Sequence, residues 1–335
     1  MEVSPLKTVA IKKDKKETWL NKFLKRPDSS AIVAVVLLVI FFSLFTDNFL
    51  SKQNVFGLLR SSALYIFIAI GMASVLCVGG MNISIGATGS LCTVVAGVCF
   101  QNLGLPIWAT VLMTLLAGAI TGLLNGLVIT KLKINAFVTT LSTMFVYQGL
   151  ANGISKGYPY SDIPESFTWL GRGSVGGLMP YLFIMAAIFL ILLHVYYKYT
   201  VLGRQILATG GNLEAARMLG VKTDQTIIIA NVTSNIFAAL AALLWLSRLG
   251  SGTVATGGDW MLIGNAVAII GGTALSGGVI SSVGLLCAGI MLAIIKNGLI
   301  MIGVNVYYEQ TFLGILILIA VAMDSIRSGV AKKSK

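Results

Sequence analysis

Long apolar stretches constrain this chain more than any other feature. Apolar runs cover residues 30–45, 61–80, 107–130, 136–153, 179–197, 226–247, 279–302 and 309–323, and most have about the length a helix needs to cross a bilayer. Hydrocarbon offers no partner to an open strand edge, so such runs fold as helices. Two further segments, 84–103 and 262–277, are apolar but interrupted by Gly, Ser and Asn. Counting both gives ten crossings. The expected fold is all-α: a polytopic membrane protein of about ten transmembrane helices, with Gly-rich broken segments and a short cytoplasmic helix. Composition supports this, because 56% of the residues are apolar and 11% are charged, too few to cover the surface of a soluble protein. An ordinary cytosolic enzyme, a secreted disulfide scaffold and a nucleic-acid binder are thereby excluded, the last despite a net charge of +12.

The placement of that charge gives the topology. Residues 1–29 carry eight Lys or Arg against four acids, and the tail 324–335 carries four against one. The stretch 198–224 carries Lys198, Arg204, Arg217 and Lys222 against Glu214 and Asp224. Basic segments stay inside, so both termini and this loop are expected in the cytoplasm, which requires an even number of crossings. The layout is then a basic cytoplasmic segment 1–29, a membrane domain 30–326 carrying the cytoplasmic loop 198–224, and a basic tail 327–335. The connection 154–178 balances its charges, carries Tyr158, Tyr160 and Trp169, and suits an outer interfacial loop. The first run follows 29 mostly polar residues rather than a short basic leader, and reads as a stop or signal anchor. Cys77, Cys92, Cys99 and Cys287 lack metal-ligand spacing and read as buried thiols, so no metal is expected. His194 reads as an interfacial side chain.

The two interrupted segments point to function. One reads VGGMNISIGATGS around Gly79 and the other IIGGTALSGG around Gly271, at similar places in the two halves. Unwound backbone at membrane depth lines a cavity or lies buried in protein, which makes such pairs pointers to a transport pathway. Close helix packing through small residues is the competing reading. The pathway reading is favoured for Asn82 and Ser84, and the two are balanced for Gly271 and Gly272.

What drives such transport is absent from the chain. No Asp or Glu falls within an expected span, whereas proton- and sodium-coupled carriers often depend on intramembrane carboxylates or histidines. Lys296 is the one charge expected inside the membrane; it either snorkels to the interface or pairs with an anionic solute. No GxxxxGK[ST] occurs, so ATP hydrolysis through a P-loop would have to come from elsewhere. The longest internal cytoplasmic loop contains GRQILATGGNLEAARMLGV over 203–221. A short helix 212–219 is expected there, capped by Asn212 and closed by Gly220. Leu213, Ala216 and Leu219 would present an apolar knob to a soluble partner, with Arg217 available for a carboxylate.

These residues carry a resemblance. Gly203–Arg204, Gly210–Gly211–Asn212, Ala215–Ala216 and Gly220 resemble the coupling-loop motif of permeases from ATP-binding-cassette importers of the ribose, galactose, xylose and autoinducer-2 group. The likeness runs from about Asn48 to Asp324. It includes Gly80–Gly86, Leu124–Asn125–Gly126, Ala136–Phe137 with Thr140–Leu141, Gly271–Gly272–Thr273 and Ser276–Gly277–Gly278, then Asn297–Gly298–Leu299, Gly303–Val304 and Tyr307–Tyr308. It implies a permease subunit of a bacterial cell membrane, not itself an enzyme, that binds no cofactor. The partners implied are a second permease chain (the same or different), ATPase subunits that bind ATP and Mg, and an extracytoplasmic substrate-binding protein. The solute implied is a pentose, a hexose or a similar small polyol. By the same resemblance Asn82, Ser84, Gly86, Asn125, Phe137, Asn265, Thr273 and Lys296 belong to the substrate pathway. Coupling to the ATPase falls to Gly203, Arg204, Gly210, Gly211, Asn212, Glu214, Ala215, Ala216, Arg217 and Gly220. Two departures stand out: Asn82 replaces a usual Asp, and Met261 and Ile263 replace a usual Glu and Asp. The alternative is a stand-alone secondary transporter or facilitator for a small polar solute, since lacking carboxylates argues against ion coupling but not against passive flux.

Overall fold

The structure is a computed structural model that describes residues 29–318 except 47, 309, 313, 316 and 317. The basic segment 1–28, the tail 327–335 and much of the expected last span 309–323 lie outside the described residues. The described chain is mostly helical. In order, it forms α1 (Ser29–Phe45), α2 (Lys52–Leu76), α3 (Ile85–Gly97), α4 (Ile107–Lys131), α5 (Ala136–Ser155) and α6 (Glu165–Arg172). A two-residue hairpin, β1 (Ser174–Val175) and β2 (Met179–Pro180), leads to α7 (Tyr181–Tyr199), α8 (Val201–Gly211) and α9 (Leu213–Met218). Then follow α10 (Thr223–Leu249), α11 (Trp260–Ile270) and α12 (Ser282–Met301). Among the described residues six helices are long and apolar enough to cross a membrane: α2, α3 with the π-turn Val98–Asn102 that extends it, α4, α7, α10 and α12.

Helix α2 is the axis of the bundle. Every residue from Ser62 to Leu76 is buried, as expected of a helix apolar on all sides. It packs against α10, α11, α12 and α7. The widest helix contact joins α4 to α10, and glycines explain it. Gly118, Gly122 and Gly126 recur every fourth residue on one face of α4, and Cβ atoms there would stand 2.6, 2.5 and 2.7 Å from the α10 backbone at Asn235, Asn231 and Ile228. Small residues let membrane helices approach until their backbones touch. At the C-terminal end of α10, Ser247 Oγ donates to the Phe167 carbonyl at 2.6 Å and accepts from the Gly171 N–H at 2.9 Å, fastening α6 to α10. Tyr160 and Gly252 exchange backbone hydrogen bonds of 2.9 Å. Burial also pushes the Tyr160 phenol above its ordinary value.

Three expectations need correction. Helix α2 starts at Lys52, ahead of the apolar run at 61, so Arg60 lies inside it and Lys296 is not alone as a charge within a long apolar helix. Apolar runs understate helices whose outer turns carry basic side chains. Residues 262–277 do not form one crossing, because α11 stops at Ile270 after 11 residues. That is about 16 Å of helix, roughly half of a hydrocarbon core of about 30 Å. Residues 251–259, which precede α11, run beside α3. Gly252 lies against Thr93 and Gly257 against Gly86. The seven steps from Gly86 to Thr93 along α3 rise about 10 Å.

Candidate functional site

The first break, residues 77–84, is closed by side chains. Asn82 Nδ2 donates to Ser234 Oγ at 2.9 Å and to Asn235 Oδ1 at 2.7 Å on α10. Its own Oδ1 accepts from Ser84 Oγ at 2.8 Å, and Ser84 Oγ accepts from Asn125 Nδ2 at 2.9 Å on α4. Tyr147 OH on α5 lies 3.1 Å from Asn125 Oδ1 and 2.9 Å from the Thr121 carbonyl, while Asn235 Nδ2 donates to Thr121 Oγ1 at 3.1 Å. Asn82, Ser84, Asn125, Ser234 and Asn235 are all completely buried. A buried amide left unpaired is costly, and here Asn82 and Asn235 pair directly while Asn125 joins them through Ser84, linking the break to α4 and α10.

Of the residues expected to line a pathway, the structure therefore brings Asn82, Ser84 and Asn125 together within one protomer's interior. Gly86 stands next to them against Gly257, where a Cβ would collide with the Gly257 carbonyl. Phe137 is elsewhere, half exposed on the outer face of α5. Its neighbour Thr140 reaches the break instead, donating to the Met81 carbonyl at 3.1 Å.

The second break, residues 271–281, is held by backbone. A Cβ on Gly284 would collide with the Gly271 carbonyl, and one on Gly277 would lie 2.7 Å from the Gly210 carbonyl. Gly272, Gly277 and Gly278 all have positive φ, which glycine alone adopts without strain. Side chains contribute little. Asn265 Nδ2 donates to the Met261 carbonyl of its own helix at 2.9 Å. Asn265 Oδ1 and Thr273 Oγ1 are buried without a hydrogen-bond partner among the described residues.

The loop 198–224 meets both breaks at one point. A Cβ on Gly210 would collide with the Cys77 carbonyl, at the start of the first break, and would lie 2.7 Å from Gly278 N in the second. Gly278 N–H in turn donates to the Cys77 carbonyl at 2.9 Å. Three backbones thus touch with no side chain between them. The spacing GG…GG in sequence gave no hint of this contact, because the two pairs lie far apart along the chain.

The loop otherwise folds as its sequence suggests. Thr200 caps α8, accepting from Gly203 N at 3.0 Å, and Gly203 itself lies too close to the Tyr196 carbonyl for a side chain. Asn212 Oδ1 accepts from Ala215 N at 3.0 Å and caps α9. Gly220 follows with φ +81°. The expected knob is altered at one position. Leu213 and Leu219 are exposed as expected, at 39% and 83%, but Ala216 is buried inside this chain and Met218, at 90%, takes its place. A helix of 6 residues is too short for its buried face to be read from periodicity. Arg217 lies 3.6 Å from Asp224 in an exposed pair and also contacts Thr223 Oγ1, so it already has an internal carboxylate. Arg204, Glu214 and Gly211 are exposed on the loop surface.

Lys296 also has an internal partner. Its Nζ lies 3.2 Å from Asp259 Oδ2 and 5.2 Å from the centre of the Tyr65 ring. Neither expectation for Lys296, snorkelling or an anionic solute, foresaw a carboxylate 37 positions away carried inward by the loop 251–259. No cluster of potential metal ligands occurs among the described residues.

Comparison with known proteins agrees with this architecture. Residues 54–321 match the family described as "Branched-chain amino acid transport system / permease component". The galactose/methyl galactoside import permease protein MglC of Escherichia coli is 32% identical over 92% of this chain and 98% of its own length. The ribose import permease protein RbsC of Haemophilus influenzae is 29% identical over 89% of this chain and 93% of its own. The autoinducer 2 import system permease protein LsrC of Photorhabdus luminescens is 30% identical over 91% and 92%. No solved structure matches the chain. With four-fifths of its length inside the family match and its helices long enough to cross a bilayer many times, the chain belongs to this permease family and is a multi-pass membrane permease subunit.

Proposed function

We propose that this chain forms the translocation path of an ATP-driven importer for a monosaccharide or a polyol of similar size. The solute arrives on an extracytoplasmic binding protein, and a separate ATPase subunit supplies the energy. The relatives import galactose, ribose and autoinducer 2, which favours a small polyhydroxylated solute over the amino acids in the family description. Ten crossings result when α1, α5, the loop 251–259 with α11, and residues 309–323 are added to the six long helices. An even number keeps both basic termini in the cytoplasm.

One observation carries the coupling part of this reading: Gly210 stands in backbone contact with Cys77 and Gly278. Met218 and Leu219 present the apolar surface that an ATPase groove would take. Displacement of α9 and α8 would then act directly on both breaks, since no flexible side chain lies between them. Packed backbones are bistable rather than elastic, so a small shift there has a large consequence. The Asn82 network serves as the fixed side and the glycine-only break as the moving one.

Mass spectrometry of the tagged chain, purified in mild detergent from its own membrane, tests the assignment. A stoichiometric P-loop ATPase is expected. A second, different permease in the same preparation would make the assembly a heterodimer and would locate the acids absent at 82, 261 and 263. Recovery of this chain alone after gentle cross-linking, with solute flux through it in liposomes, would replace the importer by a self-sufficient facilitator.

A further inference from the structure

The loop 251–259 lies outside every expectation drawn from the apolar runs, and it borders a cavity of about 200 Å³. Trp245, Ser251, Thr253, Thr256, Asp259 and Trp260 are among its walls. Irregular backbone at this depth is tolerated in a membrane protein where it lines a polar cavity or is buried in protein. The loop does both: Gly252 and Gly257 are buried against α3, whereas Thr253 is exposed and Ser251, Thr256 and Asp259 are partly exposed.

Its walls combine three hydroxyls, one carboxylate and an indole pair whose rings stand 6.1 Å apart. Hydroxyls and a carboxylate exchange hydrogen bonds with a polyol, the ionised acceptor being the stronger. An aromatic wall takes the C–H surface of the same molecule, which water solvates poorly. A strongly charged solute gains little here, since Lys296 already balances Asp259 at 3.2 Å. The Asp259 side chain remains about one-third accessible in that pair (34%), while Lys296 is 11% accessible. Lys296 therefore fixes the carboxylate from behind and leaves it reachable from the cavity.

The loop is also preorganised. Ser90 Oγ donates to the Val254 carbonyl at 2.7 Å, and Gln148 Nε2 donates to the same oxygen at 3.1 Å. Gly89 allows the Trp260 ring to lie directly on α3. A site whose backbone is pinned before the ligand arrives loses less conformational freedom on binding.

We propose that Asp259, with the hydroxyls of Ser251, Thr253 and Thr256 and the indole of Trp245, forms a weak binding site for a neutral monosaccharide in the outer half of the permease. The site is held in shape by Lys296. This proposal rests on the sugar-importer reading and gives it a location.

The test uses the full chain in nanodiscs, with Thr253→Cys and Thr256→Cys as separate variants and the unsubstituted chain, whose Cys77, Cys92 and Cys99 are buried and whose Cys287 is partly buried, as background. A small water-soluble methanethiosulfonate should label both variants at least tenfold faster than background. D-Ribose or D-galactose at 100 mM should slow labelling at least threefold, and sodium lactate at the same concentration should not. Adding Asp259→Asn should abolish the protection while leaving the labelling rate within twofold, whereas Asp259→Glu should retain part of it. Labelling at background rates at both positions would overturn the site, as would labelling that neither sugar slows or that lactate slows equally. Because labelling needs no ATPase, its failure is separable from failure of the importer reading, which the co-purification above decides.

Discussion

The two broken segments look alike in sequence, both glycine-rich interruptions after an apolar run, yet the structure secures them by opposite means. At the first, three carboxamides, two serines and a tyrosine make a closed network with Asn82 bonded at both ends of its amide. At the second, glycines stand backbone to backbone, and Asn265 Oδ1 and Thr273 Oγ1 have no partner among the described residues. A side-chain network resists displacement because moving any member unpairs several buried groups. Glycine contacts resist compression, and sliding one backbone along another here unpairs one backbone hydrogen bond between the elements, that from the Gly278 N–H to the Cys77 carbonyl. The first break is thus suited to anchoring and the second to motion.

Substitutions can break this comparison, beginning with the largest effect. Asn82→Ala leaves Ser84, Ser234 and Asn235 each short of a buried partner and should cost about 3 kcal/mol, given roughly 1–3 kcal/mol for each unsatisfied group. Thermal unfolding of the full chain in nanodiscs would register the loss as a lower Tm. Next comes Leu219→Glu, which places a charge on the exposed apolar tip of the loop. Uptake in the assembled transporter should fall about tenfold, equivalent to roughly 1.4 kcal/mol, while membrane insertion and Tm stay unchanged. The smallest effect belongs to Thr273→Val, which removes a buried hydroxyl that bonds to nothing described. Its Tm should match or slightly exceed that of the parent, with a change within about 0.5 kcal/mol. A Thr273→Val loss as large as that of Asn82→Ala would erase the distinction between the breaks.

How far the sequence was legible follows from what each element depends on. Helices such as α4, α10 and α12 depend on apolar length, which is written locally, and their positions agree with the runs to within a few residues. The caps of α9 are equally local, since Asn212 and Gly220 act on their own neighbours. The loop 251–259 was not legible, because SGTVATGGD has the composition of a surface turn and only contact with Gly86 and Thr93 carries it inward. The Asp259–Lys296 pair was hidden for the same reason. Ala216 was misread as a knob because the turn after α9 folds back over it, with Val221 N–H donating to its carbonyl at 3.0 Å. The Gly210–Cys77–Gly278 contact joins three distant stretches, and glycine leaves no periodic signature to betray a partner.

The central claim is that the cytoplasmic loop acts on both breaks through Gly210, and adjacent glycines provide the test. A Cβ at Gly210 would collide with Cys77, whereas one at Gly211 would meet nothing within 4 Å. Uptake and ATP hydrolysis should be measured together, in the same assembled transporter, for Gly210→Ala and Gly211→Ala. The prediction is that Gly210→Ala lowers uptake at least twentyfold while hydrolysis stays within twofold of the parent, and that Gly211→Ala matches the parent in both. Equal effects of the two substitutions, or full uptake with Gly210→Ala, would contradict it.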